Sequence, residues 1–128
     1  MTAGVIYKIL RAEEWARLEA EGAFEGAPVD LADGYIHFST AAQAPETARR
    51  HFAGAQGLVL AACDAAALGE ALRWEPARGG DLFPHLYAPL PRAAVIWARP
   101  LPLGPDGAHR FPPEFPAPER AEGEAGAS

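Results

Sequence analysis

The sequence predicts an α+β domain whose small, mixed or largely antiparallel sheets are accompanied by two helices. Strand-like and helix-like segments alternate in the first half of the chain, whereas the second half is mostly strand-like. A doubly wound parallel sheet needs a helix between successive strands throughout, so the second half argues against that fold. The length of 128 residues is that of one ordinary domain.

The first predicted elements are a strand over residues 5–10 and a helix over residues 13–21, whose apolar side chains share one face. Gly22 ends that helix. Residues 24–34 are predicted to be a loop, because glycine, proline and aspartate punctuate them.

A short strand over residues 35–39 and a second helix follow. Thr40 and Gln43 match a capping box, in which each side chain bonds to the other residue's backbone N–H. The helix therefore starts near Thr40 and runs to about Phe52. Pro45 has no N–H to donate, so we expect an irregular first turn that settles at Pro45.

The second half is predicted to be extended apart from one helical turn. Its segments are a buried strand at 57–63, a helical turn leading into a strand at 68–74, a turn at 78–81, an extended segment at 83–87 and a strand at 93–98. Residues 1–113 form the single domain, and residues 114–128 are predicted to be a flexible acidic tail rich in proline, glycine and alanine.

Charge and composition exclude several classes of function. The net charge is −6, and the basic residues are spread along the chain, so no nucleic-acid partner is expected. No apolar run is long enough for a membrane span, and no secretory signal is present, so a cytoplasmic protein is expected. Cys63 is the only cysteine, which excludes an internal disulfide. The sequence predicts no oligomeric state.

The strand over residues 35–39 carries the first candidate site residues. Alternation places Tyr35, His37 and Ser39 on one face, and the two residues between them are apolar. A strand that is polar on one face and apolar on the other is typical of a cleft wall. The alternative is that Ser39 or Thr40 caps the next helix and His37 is a half-buried histidine with satisfied hydrogen bonds.

The extended segment over residues 83–87 carries the second set. Phe83, His85 and Tyr87 share one face, which combines aromatic surface with a group that titrates near neutral pH. The alternative is core packing at a sheet edge. Two such strands in one small domain suggest that both face one site.

Glu75 follows a tryptophan, and partial desolvation there would suit it to acid or base chemistry; the alternative is an exposed glutamate. His37, His85 and Glu75 are residue types that bind zinc, but their spacing does not match a metal motif, so no metal is predicted.

These residues resemble the small bacterial domain-of-unknown-function 952 family over about residues 5–113. The matching motifs are Ile6-Tyr7-Lys8-Ile9, Asp33-Gly34-Tyr35-Ile36-His37-Phe38-Ser39-Thr40 with Gln43, Phe83-Pro84-His85-Leu86-Tyr87, and Asp106-Gly107. The resemblance implies a fold grouped with the ADP-ribosyltransferase-like domains, which bind NAD in a cleft between two small sheets.

The resemblance also implies roles for individual residues. His37 would hydrogen-bond the nicotinamide ribose with Ser39 or Thr40 beside it, and Tyr87 would stack on nicotinamide. His85 would border the pocket. Phe83, on the same strand face as His85, and Tyr35, on the same strand face as His37, would also contact the ligand. His37, His85 and Glu75 are the candidate catalytic residues, although enzymes of this kind that use a glutamate usually carry it after the aromatic motif.

Three hypotheses follow from these residues. The first is a cleft that binds NAD or a related nucleotide, with ADP-ribosyl transfer or NAD glycohydrolase chemistry. The second is a non-catalytic module that uses the same cleft to bind a small molecule. The third is a histidine-based hydrolase in which Glu75 orients His37 or His85.

Overall fold

The computed structural model describes residues 4–116, and in this part of the chain eight strands form three small antiparallel sheets. The strands are β1 (Val5–Leu10), β2 (Ala23–Phe24), β3 (Ile36–His37), β4 (Leu58–Asp64), β5 (Leu72–Pro76), β6 (Leu82–Leu86), β7 (Leu90–Pro91) and β8 (Val95–Leu101). The α-helices are α1 (Ala12–Glu21), α2 (Pro28–Asp33), α3 (Ala44–His51) and α4 (Ala65–Leu68), and short 3-10 helices cover Gly69–Ala71, Arg78–Gly80 and Arg92–Ala94.

The first sheet has the order β1-β4-β8, and its strands β1 and β4 are buried on both faces. Ile6 and Leu10 of β1 pack into one apolar cluster, together with α1 and strand β3. Tyr7 and Ile9 point the opposite way, into a second cluster with α3. Lys8 lies on the same face as Ile6 and Leu10 because side chains alternate along a strand. A lysine is thus placed in an otherwise apolar interior.

The second sheet has the order β3-β6-β5 and joins the first through a single bridge. Tyr7 and Ser39 exchange two backbone hydrogen bonds, of 2.8 and 2.9 Å, across that bridge. In the register of β3 against β6, His37 lies directly opposite His85. The two-stranded sheet β2-β7 is separate.

The α+β class is confirmed, as are the strands near residues 5–10, 57–63 and 93–98 and the helix that ends at Gly22. The prediction of two helices is wrong in number, since residues 4–116 contain four α-helices. The predicted loop over residues 24–34 is also wrong in part, because it contains α2 and the end of β2.

Helix α2 was missed because its sequence has no apolar stripe of the kind that marks a helix packed on a core. Val29 and Leu31 are 57% and 64% exposed, so no apolar stripe marks the segment. The local geometry makes the helix instead: Pro28 starts it, and the Asp30 carboxylate accepts the Ala27 N–H at 2.8 Å. Gly34 ends it in the left-handed conformation, with φ +90°.

The Thr40 and Gln43 pair forms a capping box, ahead of α3. The Thr40 N–H donates to Gln43 Oε1 at 3.0 Å, and the Gln43 N–H donates to Thr40 Oγ1 at 3.2 Å. Regular helix begins only at Ala44, after a turn. The irregular start expected from Pro45 is therefore present.

The last described residues pack on the first sheet. The Phe115 ring meets Tyr7 edge-on, with ring centroids 4.9 Å apart, and Arg99 Nε lies 3.2 Å from Glu114 Oε2. Residues 117–128 of the predicted tail lie outside the described residues. Within residues 4–116, no helix is long and apolar enough to cross a membrane.

Candidate functional site

A cleft of about 630 Å³ opens where the first two sheets meet, and we call it the histidine cleft. Its walls come from β1, β3 and β6 and from helices α2 and α3. Four of the sequence-predicted site residues line it: His37, Ser39, Phe83 and His85. The other polar lining residues are Lys8, Arg11, Glu14, Asp30, Asp33, Thr47 and His51, and Tyr7, Phe38 and Phe52 add aromatic surface.

The pairing of β3 with β6 brings the two histidines together. His37 and His85 project from the same face of this antiparallel pair, and their ring centroids are 5.6 Å apart. Two residues that are 48 positions apart in sequence thus present their imidazoles to one cleft.

Asp30 orients His37 through hydrogen bonds. Its side chain is only 1% exposed, and its Oδ1 accepts hydrogen bonds from His37 Nδ1 at 2.6 Å and from the His37 backbone N–H at 3.1 Å. Lys8 Nζ lies 3.1 Å from Oδ2 and supplies the counter-charge. Burial raises the pKa of Asp30, but the bonds from His37 and the charge of Lys8 outweigh it and lower the pKa from 3.8 to about 2. Asp30 is therefore a buried carboxylate that stays ionised.

The second ring nitrogen of His37 faces another carboxylate. His37 Nε2 lies 2.9 Å from Asp33 Oδ2, and the Asp33 side chain is 46% exposed. A neutral imidazole carries one N–H and can donate to only one of these carboxylates, whereas an imidazolium can donate to both. His37 thus lies between a buried and an exposed carboxylate.

Glu75 orients His85, as Asp30 orients His37. His85 Nδ1 donates to Glu75 Oε1 at 2.7 Å, and the Tyr87 hydroxyl donates to the same oxygen at 2.9 Å. The hydrogen bond from His85, followed by that from Tyr87, lowers the pKa of Glu75. The same bond raises the pKa of Tyr87, because ionising its hydroxyl would lose the donor and place two negative charges together.

The other edge of the His85 ring faces the cleft. The His85 side chain is 5% exposed and lines the cleft, whereas Glu75, the partner of Nδ1, does not. Within residues 4–116, Nε2 has no hydrogen-bond partner. A group that enters the cleft can therefore hydrogen-bond to this nitrogen.

Tyr35 forms an aromatic layer beside both histidines. It stacks on His85 with ring centroids 4.1 Å apart and an interplanar angle of 23°, and it lies 4.7 Å from His37. Burial, followed by the charges of Asp33 and Glu75, raises the pKa of its hydroxyl. Tyr35 therefore fixes the two rings in place rather than lining the cleft.

Tyr87, Glu75 and Thr40 do not line the cleft. Tyr87 is 41% exposed and carries the Arg73 guanidinium 4.9 Å from its ring centre. The Thr40 hydroxyl is used by the capping box. The Ser39 hydroxyl does lie at the cleft, 2.9 Å from Thr47 Oγ1.

Sequence reasoning missed Lys8, Asp30 and Asp33 as site residues. One signal was available: Lys8 is the only lysine of the chain and lies within a strand of otherwise apolar residues and one tyrosine. A lysine in such a position requires a buried counter-charge. Nothing in the local pattern identified Asp30 as that partner, 22 residues away.

Two further groups bear on the chemistry of the cleft. Cys63 is fully buried, and burial raises its pKa to about 12, which rules it out as a nucleophile at neutral pH. Arg11 lines the cleft, and it forms no ion pair with the residues that the structure describes. Among residues 4–116, no group of three or more histidine, cysteine, aspartate or glutamate side chains is arranged to hold a metal ion.

Comparison with known proteins gives a family and solved relatives. The family model described as "Protein of unknown function (DUF952)" matches residues 9–98. The crystal structure of protein CC0527 from Caulobacter crescentus is 51% identical and has a TM-score of 0.80, covering 83% of this chain and 93% of that one. Its solution NMR structure is 52% identical with a TM-score of 0.74, covering 81% and 90%. No curated protein matches the chain.

These relatives establish the fold at high identity. Neither the family description nor the names of the solved structures state a ligand or a reaction. The ADP-ribosyltransferase-like cleft and the use of NAD therefore remain predictions.

Proposed function

The chain belongs to the DUF952 family, and we propose that it binds NAD or a related nucleotide in the histidine cleft. The observation that carries this proposal is the pair of histidines, each oriented by its own carboxylate, that meet in one cleft. Such pairs fix the orientation of each imidazole and therefore which nitrogen faces a ligand.

The size and lining of the cleft support a ligand of this class. A volume of about 630 Å³ falls within the range of small-molecule and cofactor pockets. Phe38, Phe52 and Phe83 supply aromatic surface suited to a base or a nicotinamide ring. Histidine nitrogens and the Ser39 hydroxyl supply hydrogen bonds for ribose and phosphate oxygens. Arg11 adds a cation that suits a phosphate group.

The position of Glu75 favours recognition over cleavage of the ligand. Breaking the bond between ribose and nicotinamide builds positive charge on the ribose, which a fixed carboxylate facing the ligand would stabilise. Glu75 is bonded to His85 and Tyr87 and does not line the cleft, so its role is to position His85. A non-catalytic binding module is therefore the second candidate.

The hydrolase hypothesis is partly supported by the same contact. Glu75 orients His85, as that hypothesis requires. A nucleophile is the missing part, because Cys63 is buried and the Ser39 hydroxyl is paired with Thr47 rather than with a histidine.

Calorimetry with NAD and ADP-ribose tests the proposal. We expect both ligands to bind the wild-type protein, and we expect His37→Ala and His85→Ala each to weaken binding about tenfold or more. His109→Ala is the matched control, because that histidine bonds to the Ala55 carbonyl outside the cleft. No binding of either ligand at millimolar concentration would remove the nucleotide proposal.

Nicotinamide release from NAD separates the two candidates. An enzyme should release nicotinamide, and release should vanish in His37→Ala. A binding module should bind NAD and leave it intact. If NAD is cleaved and cleavage persists in His37→Ala and His85→Ala, the reaction occurs elsewhere and the site is misplaced.

A further inference from the structure

The two carboxylates on His37 differ in how they are held. Asp30 is buried and accepts hydrogen bonds from Lys8, from Ala27 and twice from His37. Asp33 is 46% exposed, and within residues 4–116 its only polar contact is with His37 Nε2. An exposed ion pair with a single contact is weak, so a ligand group can replace it. Replacing Asp30 would instead leave Lys8 buried without a counter-charge.

From this difference we propose that Asp33 competes with the ligand for His37 Nε2, and that the competing ligand group is a phosphate oxygen. This deepens the proposed function and rests on it, since the phosphate is that of the bound nucleotide. The contact assigns the pyrophosphate of NAD or ADP-ribose to His37, in place of the ribose hydroxyl implied by the family resemblance.

Electrostatics favours an anion over a neutral group at His37 Nε2. A protonated His37 donates from Nδ1 to Asp30 and from Nε2 to Asp33, and Asp30 keeps its own contact with Nδ1 whatever occupies Nε2. A neutral hydroxyl in place of Asp33 would remove one partner of an ion pair and give only a weaker hydrogen bond in return. A phosphate oxygen keeps the charge-assisted bond.

Two neighbouring groups fit the same ligand. Arg11 lines the cleft and has no carboxylate partner within residues 4–116, so it can neutralise a second phosphate charge. The buried His85 Nε2, which has no protein partner in this part of the chain, lies on the ring next to His37. It can bond to a hydroxyl or oxygen adjoining the phosphate.

Asp33→Asn tests the competition, because asparagine keeps the size of the side chain and removes its charge. We expect the affinity for inorganic pyrophosphate and ADP-ribose to rise about two- to fivefold, as expected for loss of a weak competing ion pair. The affinity for adenosine, which has no phosphate, should not change. Asp106→Asn is the control: it changes the net charge equally, at an exposed carboxylate that pairs with Arg110 outside the cleft.

The outcomes separate this inference from the proposed function. If the wild-type protein binds ADP-ribose and Asp33→Asn binds it equally or more weakly, nucleotide binding stands and competition by Asp33 is wrong. If Asp106→Asn raises the affinity as much as Asp33→Asn, the effect is net charge alone and the competition is again wrong. If neither pyrophosphate nor ADP-ribose binds any variant, both proposals fall.

Discussion

Asp30 is the residue on which the geometry of the cleft depends most. It accepts hydrogen bonds from β1 through Lys8, from the start of α2 through Ala27, and from β3 through His37. One buried carboxylate thus ties three elements together and fixes the tilt of a cleft-lining imidazole. Removing one partner of a buried ion pair is strongly destabilising, because the remaining charge is left without compensation.

Asp30 also gives stability a specific dependence on pH. Its folded pKa of about 2 lies below the ordinary value of 3.8, so its stabilising contribution is present at neutral pH and is lost as the pH falls from about 4 to about 2. The shift corresponds to about 2 kcal/mol. We therefore expect the difference in unfolding free energy between wild type and Asp30→Asn to shrink by about 2 kcal/mol between about pH 6 and about pH 2.

Urea unfolding at several pH values measures this difference. Asp33→Asn is the matched control, since it removes a carboxylate from the same histidine at an exposed position. Parallel stability curves for wild type and Asp30→Asn across this pH range would show that the buried carboxylate is not held ionised.

At the residue scale, the sequence identified side chains that line the cleft but not which residues they contact. The alternation of residues 35–39 and 83–87 singled out His37 and His85, which do share the cleft. The sequence was a poorer guide to the carboxylates that orient these two histidines. Glu75 was a candidate acid or base and, in the hydrolase hypothesis, a residue that orients His37 or His85; in the structure it contacts His85. Asp30 was hidden in a predicted loop, because a contact 22 residues away leaves no local pattern.

Helix α2 is the element that brings both aspartates to His37. It has only six residues and exposes its apolar side chains, so burial contributes little to it. Its geometry depends on the turn before it, where Gly26 has φ +132°. A Cβ at Gly26 would lie 2.8 Å from Asp30 Cβ, closer than carbon atoms approach.

Gly26→Ala should therefore disturb both stability and the site. We expect it to lower the unfolding free energy by about 2–4 kcal/mol, through backbone strain and the clash with Asp30. Gly54→Ala is the control, because Gly54 also has positive φ but a Cβ there would meet nothing within 4 Å. It should lower the unfolding free energy by only about 1 kcal/mol.

Chemical denaturation and backbone amide spectra check the Gly26 prediction. The resonances of His37 should shift in Gly26→Ala and stay in place in Gly54→Ala. Equal losses of stability in the two variants would contradict the close packing of Gly26 against Asp30.

Elements with strong apolar patterns were predicted, whereas of the two-residue strands β2, β3 and β7 only β3 was. Strands β1 and β4 have six and seven residues with mostly buried side chains, and both were found from the sequence. Strands β2 and β7 have two residues each and pair only with each other. Two residues carry no periodicity of their own, and β3 was found only because the residues around it alternate as well.

At the scale of the whole molecule, the cleft depends on how the two sheets are joined. Tyr7 makes the backbone bridge to Ser39, and its ring is covered by Phe115 from the end of the described chain. The same tyrosine thus anchors the sheet junction on one side and a C-terminal aromatic on the other.

Phe115→Ala should lower the unfolding free energy by about 1–3 kcal/mol, because it removes a partly buried ring and its edge-on contact with Tyr7. Phe115→Leu should lose less, since it keeps apolar volume. Glu114→Gln, which breaks only the exposed pair with Arg99, should cause no measurable change. Thermal and urea unfolding measure all three. No loss of stability in Phe115→Ala would mean that the ring does not pack there in solution.

The fold class could be predicted from the order of strand-like and helix-like segments, but the cleft could not. The cleft arises where β1 meets β3 and where α2 closes over both, and these contacts join residues far apart in sequence. Local patterns specify elements, whereas the packing of elements decides which side chains meet.

The most direct test of the central claim is an NMR titration of the histidine side-chain nitrogens with ADP-ribose. We expect the resonances of His37 and His85 to shift together with one dissociation constant, while those of His109, outside the cleft, stay unchanged. If His37 and His85 do not respond at millimolar ligand, or respond with different dissociation constants, the two histidines do not form one nucleotide site.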